Sequence, residues 1–205
     1  SATLGAPSVH FATDTAVTNG LTADNTLAFS GTAEANTTVE IFLNNRSIGT
    51  ATANGSGVWS FDYSGTIVQD GRYTITAIAT DTDGNSSPSS TPLHVTVDTV
   101  APDAPVILSL STDSGTPADG ITSDNTPSFS GTAEANATVE IFLGEALLGT
   151  TKAGSNGTWV LHTTTVLQNA DSTVTAKAID AAGNISAFSD PLTITIDTAS
   201  PDAPT

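Results

Sequence analysis

The chain has 205 residues, no cysteine, and 21 acidic residues against four Lys and Arg, which gives a formal net charge of −17. This balance excludes a nucleic-acid-binding surface, which needs a basic face, and disfavours contact with an anionic membrane. No disulfide can form, and no apolar run approaches the ~20 residues that span a bilayer.

One pattern occurs twice along the chain, with an offset of about 100 residues. Residues 24–36 return almost unchanged as residues 124–136, and residues 39–43 return as residues 139–143. The Pro-Asp-Ala-Pro sequence that follows the first copy recurs at the end of the chain.

This repetition predicts a division of the chain into two repeats and the start of a third. We predict one domain over residues 1–100, a second over 101–200, and the beginning of a following repeat at 201–205. The chain is therefore interpreted as a monomeric fragment of a longer array.

Within each repeat, apolar and polar residues alternate with the period of a β-strand. The runs that share one apolar face are Val39, Ile41 and Leu43; Ile75, Ala77 and Ala79; Leu93, Val95 and Val97; Val139, Ile141 and Leu143; Val174, Ala176 and Ala178; Leu192, Ile194 and Ile196. Turn sequences such as Asn54-Gly55 and Asp83-Gly84-Asn85 separate the runs, and helical periodicity is missing. About seven short strands per repeat predict an all-β fold, with two tandem immunoglobulin-like β-sandwiches in an extended arrangement.

The aromatic and imidazole side chains give no sign of a catalytic site. Trp59 and Trp159 hold the same place in the two repeats, which favours a packing role over a sugar-stacking one. His10, His94 and His162 have no zinc-ligand spacing and are interpreted as scattered strand or surface residues. No nucleophile elbow or phosphate-binding loop is present, so we expect no enzymatic activity.

Several of these sequence features together resemble a known family. They are a Gly-Thr-Ala-Glu-Ala segment, a Val-Glu-Ile-Phe-Leu strand, a central Gly-x-Trp, an Ala-x-Asp-x-x-Gly-Asn-x-Ser loop and a closing Asp-Thr-x-x-Pro. The combination resembles the bacterial Ig-like repeats of giant surface adhesins, which include biofilm-associated proteins and RTX-type adhesins. The resemblance implies an extracellular stalk at the bacterial cell surface that calcium rigidifies.

The resemblance also implies which carboxylates bind calcium. These are the Asp before the Gly-Asn loop, the linker Asp and the acids of the loop before the second strand. Asp103, at the entry to the second repeat, is added because sandwich topology places it at the end that holds the Gly-Asn loop. The predicted ligands are Asp14, Asp24, Asp81, Asp98, Asp103, Asp113, Asp119, Asp124, Asp180 and Asp197. Repeat one has Asn19 where repeat two has Asp119, so weaker affinity is expected there.

Sandwich topology suggests why these acids cluster. Loops alternate between the two ends of a sandwich, so the acids of the first loop and of the linker share one end, and the Gly-Asn loop lies at the other. We expect Ca²⁺, which takes six to eight oxygen ligands, to join acids of neighbouring repeats that otherwise repel each other. The alternative for each Asp is a solvated turn former.

Three functions remain open from the sequence. The first is a structural spacer in an adhesin, whose partners are the neighbouring repeats and calcium, without nucleic acid or membrane insertion. The second is direct binding of a glycan or homotypic cell–cell contact by the repeats, through weak multivalent interactions. The third is an accessory module beside a secreted hydrolase.

Overall fold

The computed structural model describes residues 3–12, 17–111 and 119–200, and the chain forms two compact units, residues 1–100 and 101–205. All regular structure among these residues is β-strand, which confirms the predicted fold class. The strands of the first unit are β1 (His10–Phe11), β2 (Leu21–Thr22), β3 (Ala28–Thr32), β4 (Thr38–Leu43), β5 (Arg46–Thr52), β6 (Val58–Asp62), β7 (Gly71–Thr80) and β8 (Leu93–Val97). Those of the second are β9 (Val106–Leu110), β10 (Ile121–Thr122), β11 (Ser128–Thr132), β12 (Thr138–Leu143), β13 (Ala146–Lys152), β14 (Thr158–His162), β15 (Ala170–Ile179) and β16 (Leu192–Ile196).

Each unit is a sandwich of one three-stranded and one five-stranded sheet. In the first unit the strand orders are β1-β3-β6 and β2-β8-β7-β4-β5, and the second unit repeats both orders with its own strands. We call each crossing of the chain from one end of the sandwich to the other a pass. The first pass is divided between the two sheets, because β1 pairs with β3 whereas β2 pairs with β8. Each unit therefore has seven passes, as the turn spacing predicts, with the first pass interrupted.

The direction of these passes fixes where the chain enters and leaves each sandwich. All pairs are antiparallel except β2 with β8 and β10 with β16, the first and last passes of each unit. Because an odd number of alternating passes ends in its starting direction, the chain leaves at the end opposite to its entrance. We call these ends the N-terminal pole and the C-terminal pole of each unit.

The core lies between the two sheets, on the faces that strand periodicity predicts. Val39, Ile41, Ile75 and Val95 are almost completely buried, and Leu43 and Leu93 pack at its margin. The second unit buries the matching residues. Burial of these side chains supplies the main driving force for folding each unit.

Trp59 and Trp159 are 1% and 2% exposed, which confirms the packing interpretation. Each lies opposite a glycine on the neighbouring strand, Gly31 for Trp59 and Gly131 for Trp159. A Cβ atom on Gly31 would collide with the Ser8 carbonyl oxygen and come within 2.7 Å of the Trp59 ring. The glycine therefore leaves room for both the indole and the first strand.

Two buried serines in each unit replace a missing part of the sheet. β8 pairs with only the first half of β7, so the N–H groups of Ala77 and Ala79 lie beyond the ladder. The Oγ atoms of Ser90 and Ser87 accept hydrogen bonds from these groups at 2.9 and 3.0 Å. Ser189 and Ser186 do the same for Ala176 and Ala178 in the second unit.

Gly31→Ala should destabilise the first unit by about 1–3 kcal/mol, because the added methyl group overpacks the contact between Trp59 and the first strand. Gly55→Ala is the matched control, since a Cβ atom there meets no atom within 4 Å. Urea unfolding followed through the amide NMR signals of residues 17–100 measures both variants. Equal stability of the two variants would contradict the packing role of Gly31.

Ser90→Ala should destabilise the first unit by about 1–3 kcal/mol, because it leaves the buried N–H of Ala77 without an acceptor. Ser89→Ala, one residue away and exposed, removes a hydroxyl of the same chemistry and should change little. The same NMR-detected unfolding compares them, and faster hydrogen exchange at the Ala77 amide should accompany the loss. A Ser90→Ala variant as stable as Ser89→Ala would refute the role of the hydroxyl.

Candidate calcium-binding poles

The C-terminal pole of the first unit gathers two of the predicted calcium ligands around one buried threonine. The Thr22 Oγ1 accepts a hydrogen bond from the Asp24 N–H at 2.9 Å, and the Thr22 carbonyl accepts one from the Asp98 N–H at 2.9 Å. Both aspartates are half-buried. Thr22 is completely buried, so it holds the loop and the linker at a fixed place in the fold.

The carboxylates at this pole also shape their own turns. The Asp24 Oδ1 accepts hydrogen bonds from the N–H and the hydroxyl of Thr26, at 2.7 and 2.6 Å. The Asp98 Oδ1 accepts one from the Val100 N–H at 3.2 Å. These are Asx-type turns, which match the turn-former alternative, and such turns leave further lone pairs of each carboxylate for a cation.

The second unit repeats this pole with one more acid. Thr122 accepts hydrogen bonds from the N–H groups of Asp124 and Asp197, at 3.0 and 2.9 Å. The Asp119 Oδ1 accepts one from the Ile121 N–H at 2.9 Å, two residues along the same loop. The structure thus brings Asp119, Asp124 and Asp197 to one pole, whereas the predicted ligands Asp14 and Asp113 lie outside the described residues.

Thr99, the linker residue after Asp98, is hydrogen-bonded to the same pole. The sequence did not predict this contact. The Asp70 Oδ1 accepts hydrogen bonds from the N–H and the hydroxyl of Thr99, at 3.1 and 2.8 Å. In the second unit the Asn169 Oδ1 accepts one from the Thr198 hydroxyl at 2.9 Å. The only available signal was the repeated Asp-Thr after the last strand, and it did not identify the partner.

The remaining predicted ligands lie at the N-terminal poles. Asp81 follows β7 and Asp180 follows β15, at the ends of these strands where β4 and β12 begin. Asp103 precedes β9 and lines a groove of about 330 Å³ together with Thr132 and Glu134. The two groups of predicted ligands therefore occupy opposite ends of each sandwich.

Asp81 acts as the anchor of its loop. Its Oδ1 accepts hydrogen bonds from the N–H groups of Asp83 and Asn85 at 2.9 and 2.8 Å, and its Oδ2 accepts one from the Asn85 side-chain amide at 2.7 Å. The hydrogen bonds from the Asn85 side chain and backbone lower the pKa of Asp81 from its ordinary value of 3.8. Asp180 has equivalent bonds with Gly183 and Asn184.

These contacts test how well the predicted ligands fit a calcium ion. Asp81 and Asp180 accept N–H bonds on both oxygens, so the loop already stabilises their negative charge and occupies lone pairs of both oxygens. Asp24 accepts both hydrogen bonds of its turn on Oδ1, and Asp24 and Asp98 share the Thr22 anchor. The C-terminal pole therefore offers two predicted carboxylates around one anchor, whereas each Gly-Asn loop offers one predicted carboxylate that its own N–H donors already bind.

Acidic side chains alone do not complete a metal site. Within residues 3–12, 17–111 and 119–200, no group of three or more His, Cys, Asp or Glu is placed to hold a metal ion. A calcium ion at a pole would need carbonyl, amide or water oxygens besides the carboxylates, which are ligands that Ca²⁺ accepts. The described residues also contain no helix that is long and apolar enough to cross a membrane.

Asp81→Asn should flatten the dependence of the first unit's stability on pH in acid. Because the folded pKa is lowered, the contribution of the Asp81 carboxylate is complete above the ordinary value of 3.8 and is lost as the pH falls through the folded value. Asn85→Ala keeps the carboxylate but removes its side-chain donor, so it should reduce the same slope. NMR-detected urea unfolding from about pH 2 to 6 measures this, and wild-type slopes in both variants would contradict it.

Comparison with known proteins gives a family match over nearly the whole chain. The model of the bacterial Ig-like domain matches twice, over residues 3–99 and 101–198. The comparison with curated proteins found no match.

Solved structures of similar fold come from several kinds of protein. The fibronectin(III)-like modules of Clostridium thermocellum CbhA align with a TM-score of 0.54 at 15% identity, over 92% of this chain and 93% of that one, which shows the fold alone. A tetra-tandem repeat from the extending region of a large adhesion protein is 27% identical with a TM-score of 0.38, over 95% of this chain and 50% of that one. The BSP domain structure of a biofilm-associated protein is 22% identical with a TM-score of 0.36, over 96% of this chain and 30% of that one.

The duplicated sequence, the two seven-pass sandwiches and the two family matches agree in their boundaries to within a few residues. The chain belongs to the bacterial Ig-like domain family and contains two tandem copies of that domain.

Proposed function

We propose that this chain is a structural extender segment of a large bacterial surface adhesin, of the RTX or biofilm-associated kind, and that it is extracellular and non-catalytic. The observation that carries the proposal is the placement of the chain ends at opposite poles of each sandwich. The Ser8 N–H donates to the Thr32 carbonyl at the N-terminal pole, whereas the Asp98 N–H donates to the Thr22 carbonyl at the C-terminal pole. A sandwich that the chain enters at one pole and leaves at the other is suited to addition in series.

The pairing of the first and last passes suits a segment that bears tension. β2 and β8 are parallel neighbours, with hydrogen bonds from the Thr96 N–H to the Gly20 carbonyl and from the Asp98 N–H to the Thr22 carbonyl, at 2.7 and 2.9 Å. Tension on the two chain ends pulls these strands in opposite directions along their length. The hydrogen bonds are then loaded together in shear, rather than opened one after another.

Calcium is the second part of the proposal, and we infer that it rigidifies the extender. Its support is the repetition of the acids in both repeats, their concentration at the poles, and the scarcity of basic partners in a chain of net charge −17. The linker contributes stiffness of its own, because Pro102 and Pro105 fix φ and are both buried. In this proposal Asp24, Asp98, Asp124 and Asp197 are the principal carboxylate ligands.

Removal of calcium by a chelator should lower the melting temperature of the chain by on the order of 10 °C, because an ion that binds only the folded state stabilises it by mass action. Small-angle scattering should show a wider distribution of molecular lengths without calcium than with it. Magnesium is the control ion, since it prefers a tighter octahedral ligand set.

The double variant Asp24→Asn with Asp98→Asn should lose the calcium response of the first repeat. Asparagine keeps an Oδ1 that can accept the turn hydrogen bonds, so the change removes charge rather than the turn. Asp190→Asn removes one exposed carboxylate outside the predicted set and is the matched control. If calcium shifts neither the melting temperature nor the scattering of the unaltered chain, the calcium part of the proposal is wrong.

A further inference from the structure

A groove on the first unit has a lining unlike the rest of this acidic chain. It has a volume of about 380 Å³ and is lined by the start of β7, by β8 and by the turn before β2. Its lining includes the two basic residues Arg72 and His94. The volume falls within the range of about 300–1,000 Å³ that small-molecule sites occupy.

Arg72 is the first feature that indicates a ligand. It is exposed, and its guanidinium makes no hydrogen bond or ion pair with any residue that the structure describes. The nearby Asp70 carboxylate instead accepts two hydrogen bonds from Thr99. An arginine without a partner among the described residues has five N–H donors to offer to a ligand.

His94 adds a second donor on the same face of the sheet. Arg72 pairs with Thr96 and Thr74 pairs with His94, so Arg72 and His94 are diagonal neighbours on adjacent strands. The Cα atoms of such neighbours are about 7–8 Å apart. The His94 Nδ1 lies 3.1 Å from the Thr74 Oγ1. When the threonine hydroxyl donates to Nδ1, the other ring nitrogen carries the proton and can donate to a ligand.

The polar neighbours of Arg72 supply groups that suit a hydroxylated ligand. Thr74 and Thr96 share the outer face of the sheet with Arg72 and His94, because Arg72 pairs with Thr96 and Thr74 pairs with His94. Asn19 adds an amide group to the lining. Tyr73 lies on the opposite face, where its ring packs against the core. Hydroxyl and amide groups beside an arginine suit a ligand that carries hydroxyl groups next to a carboxylate, as an acidic saccharide does.

The second repeat serves as an internal comparison for this groove. By strand register, Arg72 corresponds to Asp171, Tyr73 to Ser172 and His94 to Thr193. Asp119 occupies the position of Asn19. The Asp171 Oδ1 accepts a hydrogen bond from the Thr195 hydroxyl at 2.7 Å. The backbone frame is shared, but the basic side chains of Arg72 and His94 have no basic counterpart in the second repeat.

We propose that the groove on repeat one binds an acidic saccharide, with the sugar carboxylate paired to Arg72. The planar guanidinium matches a carboxylate through two parallel hydrogen bonds. His94 donates a further hydrogen bond, and Asn19 and Thr96 supply polar groups for the sugar hydroxyls. This repeat then holds an anionic glycan in addition to its role as an extender.

The test is an NMR titration of the isotope-labelled full chain with a short oligogalacturonate, in calcium-free buffer. Amide shifts are expected at Gly20, Tyr73 and Thr96, and not at Gly120, Ser172 and Thr195 of repeat two. The fully methyl-esterified oligosaccharide, which lacks the charge, should bind much more weakly. The absence of calcium keeps this result independent of the calcium proposal.

Arg72→Gln should weaken binding of the oligogalacturonate by about tenfold or more, as the loss of a charge-assisted hydrogen bond predicts. Arg46→Gln removes the other arginine of this repeat, which is exposed on β5 outside the groove, and should leave the affinity unchanged. Equal losses in the two variants would reduce the effect to net charge and overturn the proposal. Three further results would overturn the proposal. They are amide shifts centred on repeat two, binding of the methyl ester as strong as that of the free acid, and an Arg72→Gln variant that changes only the self-association of the chain in sedimentation.

Discussion

The structure of each repeat depends on one topological constraint, the division of the first pass between the two sheets. β1 closes the three-stranded sheet against β3, and β2 crosses to the five-stranded sheet to lie parallel to β8. This arrangement places the first and last strands side by side while the chain ends stay at opposite poles. A domain built in this way can be added in series and loaded along its length without a change in its fold.

Two local devices allow that constraint to be met in both repeats. Gly31 and Gly131 admit the first strand and a buried indole at the same point, and no other residue has room there. Ser87 and Ser90 complete the hydrogen bonding of β7 where β8 no longer runs beside it, and Ser186 and Ser189 do so for β15. With the backbone held by these contacts, side chains at the surface are free to differ, as Arg72 and Asp171 do.

Much of the fold could be predicted from the sequence because its core strands are long enough to show a period of two. The alternation through Val39, Ile41 and Leu43 marks the inner face of β4 unambiguously, and the duplicated sequence repeats that signal. The divided first pass was not predictable, because β1 and β2 have two residues each and show no period. The serines were missed because a Ser- and Asn-rich segment after β7 has the composition of a loop, although it runs beside the strand.

The candidate site was less predictable than the fold, since a metal site depends on which oxygens converge in space. The sequence identified acids that recur, and the fold separates them into one group at the N-terminal pole and one at the C-terminal pole. It also gives Asp81 and Asp180 a local role as loop anchors, which sequence position alone could not distinguish from cation binding. The hydrogen bonds that Asp70 accepts from Thr99 join residues 29 positions apart, and no local sequence pattern predicts such a contact.

Force spectroscopy on the full chain, held by its two termini, tests the extender role most directly. Two separate unfolding steps are expected, each releasing roughly 300 Å of chain, because each repeat unfolds as a unit of nearly 100 residues. Thr96→Pro, which removes the hydrogen bond from β8 to Gly20, should lower the force of the first repeat's step and leave the other step unchanged. Gradual extension without distinct steps would contradict a load-bearing role for these domains.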